Sequence, residues 1–160
     1  MLCVVARSGF NTPFQDWTDP MLTLRRLDTL DVARMLDGAK AKAEELGVPM
    51  CIAILDESCN LLTFLRMDGA KIPSITLAID KAYTAAGTRK PTHDLAEPSM
   101  PGNPVYGLTS SVGGRMIVIA GGLPVIAEGE VIGAIGVSSG TPAQDLAVAD
   151  AGVQAFGSKG

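Results

Sequence analysis

The residues best suited to chemistry fall in the middle of the chain. Arg66 interrupts an otherwise apolar segment just before Met67-Asp68-Gly69, and Lys81 sits beside Asp80 in an alanine-rich stretch. Arg89, Lys90 and His93 cluster where that stretch ends, and Gly121-Gly122 breaks a later apolar run. A basic side chain in an apolar wall is kept where an anion binds, because a buried, unpaired charge is costly. The competing explanation is structural: Lys81 paired with Asp56, or Arg66 with Asp68. Arg89 and Lys90 also suit the negative end of a helix. His93 is the single histidine of the chain. It is a general base or an iron ligand in one reading, and a solvated or capping residue in the other.

Other catalytic signatures are missing. No Gly-x-x-x-x-Gly-Lys-[Ser/Thr] or Gly-x-Ser-x-Gly motif occurs. Cys3, Cys51 and Cys59 with one histidine match no zinc-ligand spacing. Gly129, Gly133 and Gly136 lie in a strand-like segment, outside the context of a dinucleotide fingerprint. Glycine inside a strand marks close approach of a ligand or of another backbone. The run Gly136-Val137-Ser138-Ser139-Gly140-Thr141 leads into a helix start, which is either a carboxylate or phosphate cradle or an ordinary strand-to-helix turn.

The elements that position these residues follow from periodicity and turn chemistry. Val32, Met35, Leu36, Ala39, Ala43 and Leu46 share one face of a helix over residues 31–46, with Thr29 as its N-cap. Residues 50–55 and 61–67 read as a hairpin around Asp56-Glu57-Ser58-Cys59-Asn60. Cys51 then falls opposite Leu65, and Cys59 is an exposed loop thiol too distant for a disulfide. Ser74 caps a second helix reaching Arg89, and Thr92 caps a short turn over residues 93–97. Residues 116–120, 123–127 and 130–137 read as three further strands, the last two joined at Glu128-Gly129. Thr141-Pro142-Ala143-Gln144 is a capping box with proline at the first helical position, opening a helix over residues 142–156. Strands in blocks with helices between them define an α+β fold with five mainly antiparallel strands.

The length of 160 residues suits one domain. With 47% hydrophobic and 19% charged residues, the chain is a folding sequence and not a disordered one. A net charge of −4 and 4% aromatics argue against a nucleic-acid surface. No apolar run approaches the roughly 18–20 residues that span a bilayer, and no signal-peptide pattern is seen, so a cytoplasmic location is expected. Residues 1–27 read as an N-terminal arm and residues 28–160 as the domain. Residues 1–20 are either an upstream extension of the reading frame or an arm packed on a partner subunit. The high apolar content and the alanine-rich helices lead to the expectation of a homo-oligomer built through the alanine-rich or the C-terminal helix.

Four stretches together resemble the GlcG/HbpS family, also called the haem-degrading domain family. They are Leu65-Arg66-Met67-Asp68-Gly69-Ala70, Ala78-Ile79-Asp80-Lys81-Ala82-Tyr83-Thr84-Ala85, Pro104-Val105-Tyr106-Gly107-Leu108, and the segment from Gly121-Gly122-Leu123-Pro124-Val125 through Gly129-Glu130-Val131-Ile132-Gly133-Ala134-Ile135-Gly136-Val137-Ser138-Ser139-Gly140. The resemblance covers about residues 28–157. It departs from the family's usual Val-Ser-Gly-Gly at Ser139. It implies a profilin- or PAS-like fold with a five-stranded antiparallel sheet, and dimers or larger homo-oligomers. It also implies proteins that in some cases bind haem or another tetrapyrrole, and in others are encoded among catabolic genes.

Two functions follow as expectations. The first is a small-ligand-binding protein that holds haem, another tetrapyrrole or a small anion. In it His93 is the metal ligand if haem binds, and Arg66, Lys81, Arg89, His93, Gly121 and Gly122 form the binding site. The second is a cofactor-independent enzyme acting on a small carboxylate or an aromatic ring-cleavage product. Its candidate catalytic groups are Lys81, His93 and Arg66.

Overall fold

The computed structural model describes residues 23–157. The expectations for residues 1–20, and for Cys3, lie outside the described residues.

Three helices and a four-stranded antiparallel sheet make up the fold. The elements are α1 (Thr29–Glu45), β1 (Cys51–Asp56), β2 (Leu61–Arg66), α2 (Ser74–Thr88), β3 (Gly122–Ala127), β4 (Glu130–Ser138) and α3 (Pro142–Gly157). The strand order is β2-β1-β4-β3. Ile52, Ile54, Ile135 and Val137 face α1 and α3 across the larger core, together with Met35, Ala39, Val148 and Ala149. Cys51, Ala53 and Leu55 alternate to the other face, where they meet Ala78 and Ala82 of α2. Both central strands are therefore covered on both faces, and β1 is buried along its full length.

The α+β class holds, but the sheet has four strands rather than five. The apolar run 116–120 is not a strand among the described residues. Two threonine hydroxyls hold this segment and its ends in place of a ladder. Thr84 Oγ1 donates to Asp80 O at 2.7 Å and to Arg115 O at 3.2 Å, and accepts from Ile117 N at 2.9 Å. Thr92 Oγ1 donates to Ile119 O at 2.7 Å and accepts from Gly122 N at 3.1 Å. Thr92 is thus a fully buried staple rather than a cap.

Other boundaries shift for local reasons. Asp28, not Thr29, caps α1, accepting from the amides of Leu30 and Asp31 at 2.8 Å each. Ser74 is the first residue of α2 and does not cap it; its hydroxyl accepts from Ser138 Oγ at 3.3 Å. A bulge between Ile54 and Leu55 pairs Cys51 with Arg66 and Ile52 with Leu65, one residue from the expected register. Cys59 is half-buried rather than exposed, its thiol 3.8 Å from Tyr83 O. Leu27, assigned to the arm by sequence, is a core residue whose amide donates to Ile132 O at 3.3 Å.

Several expected features are present. Glu128 and Gly129 have φ of 50° and 82°, the left-handed pair that a type I′ hairpin turn needs. In the capping box, Thr141 N donates to Gln144 Oε1 at 2.9 Å and Gln144 N to Thr141 Oγ1 at 3.3 Å. Glycine allows α2 to lie directly on β4: a Cβ on Gly136 would collide with the Ala78 carbonyl and the Ala82 amide. Ser139 takes φ of 119°, a conformation that favours glycine, at the position where the sequence departs from Val-Ser-Gly-Gly. Its hydroxyl compensates by accepting from Lys71 N at 3.0 Å.

Candidate ligand-binding site

Helix α2 carries the charged residues that matter, and it points adjacent ones in opposite directions. Lys81 is 2% exposed. Its Nζ donates to Asp145 Oδ2 at 2.7 Å and to Val137 O at 2.8 Å, while Asp145 Oδ1 accepts from Gly140 N at 2.9 Å. One ammonium therefore ties α2, β4 and α3 together. Burial draws the Lys81 pKa below the usual lysine value, against the opposing pull of Asp145. Gly121 and Gly122 close the lid on this pair. A Cβ on Gly121 would lie 2.8 Å from Asp145 Cβ and 3.0 Å from Lys81 Nζ, and one on Gly122 would lie 2.6 Å from Lys81 O. Lys81, Gly121 and Gly122 thus converge as the sequence suggested, but the group that they enclose is Asp145. The structural explanation applies to Lys81, with Asp145 in place of Asp56.

The other candidates do not join them. Arg66 lies at the end of edge strand β2, on the face that α2 covers, and its Nη2 donates weakly to Ala70 O at 3.4 Å. It makes no bridge to Asp68. Arg89 is the left-handed C-cap of α2, with φ of 59°, and is exposed. His93 sits on the 3₁₀ turn Thr92–Leu95 with its ring 40% exposed and Nε2 3.6 Å from Asp94 Oδ1. Among the described residues, no three His, Cys, Asp or Glu side chains gather as a metal site.

Sequence reasoning passed over a second ion pair on α2. Asp80 accepts from Arg115 Nε at 2.9 Å, and the Arg115 guanidinium carbon lies 3.8 Å from the centre of the Tyr83 ring. Tyr83 continues Ile75 and Ile79 along one flank of α2. With Phe64 of β2 they form a half-buried apolar strip packed on the alanine cluster. The signal for Arg115 in sequence was slight: a lone cation after Gly113-Gly114 and before an apolar run. The signal for Asp145 was stronger. It heads the buried stripe Asp145, Val148, Ala149 and Gly152 of α3, so it had to be buried and therefore paired.

Cavities on the surface are open grooves. One of about 300 Å³ lies between α1 and β2, lined by Leu27, Val32, Leu36 and Leu62. Another of about 330 Å³ lies at the start of α3 beside Lys71 and Ser139. A third of about 460 Å³ is lined by Lys40, Arg66 and Met67.

An antiparallel sheet with α1 and α3 on one face, α2 on the other, and a buried lysine–aspartate pin defines an α+β protein. Its residues 27–154 match the family described as haem-degrading protein HbpS-like, and the chain belongs to that family. The motif resemblance to GlcG and HbpS proteins leads to the same place. The chain is 40% identical over 123 residues to the 15.0 kDa protein of the dhaT-dhaS intergenic region of Citrobacter freundii, covering 77% of this chain and 87% of that protein. It is 34% identical over 126 residues to the corrinoid adenosyltransferase PduO of the same organism, covering 79% of this chain but only 38% of PduO. Among solved structures it resembles a PduOC protein in complex with haem, with a TM-score of 0.79 and 32% identity over 81% of this chain and 94% of that one. No helix among the described residues is long and apolar enough to cross a membrane.

Proposed function

We propose that this protein binds haem or a related tetrapyrrole on its open surface beside α2. The observation that carries the reading is the likeness to the PduOC–haem complex across almost the whole of that chain. The residues present are compatible with such a ligand. His93 offers a half-exposed imidazole free of any buried network, and Arg89 and Lys90 lie exposed within four residues of it. Exposed Ile119 is held next to the same turn by Thr92. Lys81 is withdrawn from ligand contact by Asp145, so propionate pairing falls to the exposed basic residues. Bound haem would supply an iron centre able to change oxidation state or take a small axial ligand.

Titration of the purified protein with haemin, followed at the Soret band, tests this. Saturable binding with a shifted Soret maximum is expected, and His93→Ala should alter the shift while the protein stays folded. Absence of saturable binding would overturn the reading. Binding with an unchanged spectrum in His93→Ala would leave haem binding in place and remove His93 as the iron ligand.

A further inference from the structure

We propose that Arg115 is the anion anchor of the ligand surface, receiving a carboxylate of a flat apolar molecule that lies along the outer flank of α2. The proposal rests on the tetrapyrrole reading for the identity of that molecule. Arg115 is held from three directions. Its carbonyl accepts from Thr84 Oγ1 at 3.2 Å, its Nε donates to Asp80 Oδ1 at 2.9 Å, and its guanidinium lies over the Tyr83 ring at 3.8 Å. The side chain is nevertheless 42% exposed, and its hydrogen bond to Asp80 runs through Nε alone, leaving the two Nη groups without a hydrogen bond among the described residues. A guanidinium fixed at Nε and on one face, with its outer edge open, is arranged to receive a carboxylate through its remaining donors. Its orientation is set before the ligand arrives, which lowers the entropy cost of binding.

The other described arginines do not combine these properties. Arg26 already directs Nε and Nη2 to Glu57, at 2.8 and 2.6 Å. Arg25 and Arg34 bridge Glu128 and Asp31. Arg66 has one weak bond to a carbonyl, and no side-chain partner fixes Arg89. Arg115 also has the right neighbour. The apolar strip of Ile75, Ile79, Tyr83 and Phe64 ends at its guanidinium, so a hydrophobic body can cover the strip while its acid group meets the charge. That pattern fits the chemistry of a porphyrin propionate.

Arg115 also ties the segment after residue 96 to α2, so a test must separate anchoring from support. Haemin and its dimethyl ester share the ring and differ in the carboxylates. The wild-type protein should bind haemin about tenfold or more tightly than the ester, as a charge-assisted contact requires. Arg115→Met should lower haemin affinity to that of the ester and leave ester affinity unchanged. Arg115→Lys should recover part of the preference. Equal weakening of both ligands would show a supporting role and overturn the proposal, as would retention of the full preference. If the wild type binds neither porphyrin, the tetrapyrrole reading fails, and the anchor is judged with 2-naphthoate. A saturable perturbation of the Arg115 Nε–H resonance, assigned by its loss in Arg115→Met, then sustains the anchor, and no perturbation overturns it.

Discussion

Asp80 and Lys81 are neighbours on α2, yet their ion pairs differ in kind. The Lys81–Asp145 pair is 2% and 4% exposed and has all its polar atoms satisfied by backbone or by each other. The Asp80–Arg115 pair is 11% and 42% exposed, with a guanidinium edge facing out. One helix turns a pair inward, where desolvation makes it a lock, and the next pair outward, where it is available to solvent and ligand. Charge in an apolar surrounding therefore does not by itself indicate a binding site. What matters is whether donors are left over once the internal partners are counted.

The sharpest way to break this contrast is Lys81→Met. It leaves Asp145 buried with one remaining partner, Gly140 N, and should destabilise the protein by about 3–5 kcal/mol in a denaturant titration. Adding Asp145→Leu removes the orphaned charge and should recover most of the loss, because a buried pair replaced by apolar residues is often neutral. A loss below about 1 kcal/mol for the single variant would mean that water reaches the pair and that the lock is not one.

Arg115→Met should cost less, about 1 kcal/mol, from a half-exposed ion pair and its contact with the Tyr83 ring. The same denaturant titration measures it. A loss equal to that of Lys81→Met would erase the distinction and make Arg115 a structural residue first.

Much of this was legible in the sequence, and the misses have physical causes. The capping box at Thr141 and Gln144 and the turn at Glu128-Gly129 were readable because their chemistry is local: the residues that satisfy each other lie within a few positions. Helix α1 followed from its apolar stripe, although Asp28 displaced Thr29 as the cap. The run 116–120 looked like a strand because its composition is that of one. What denies it a ladder is a pair of threonines 30 or so residues away, which no local pattern reveals. The same holds for the candidate site. Lys81 and the two glycines were picked out as part of an anion-binding site, whereas the anion that they surround is an internal one, Asp145 of α3. Asp145 could have been found as an acid heading a buried stripe. Arg115 could not, since its worth depends on Asp80, Thr84 and Tyr83 gathering around it in space.

A third pair extends the series to its weakest member. Arg26 reaches across from the start of the described chain to Glu57 in the β1–β2 loop, bonding through Nε and Nη2. This holds the Glu57 carboxyl down at about 2, below its ordinary 4.5. A carboxylate with a lowered folded-state pKa contributes stability that is present above the unfolded value and is lost as pH falls through the folded one. The contribution should therefore fade between about pH 4.5 and about 2. Because the Arg26 side chain is 49% exposed and screened by solvent, the contribution is expected to be the smallest of the three. Glu57→Gln should lower stability slightly at neutral pH and converge with the wild type near pH 2, and salt should shrink the difference. Parallel pH profiles for the two proteins would show that the pair contributes nothing. A difference approaching that of Lys81→Met would show that exposure is a poor guide to what these three pairs do.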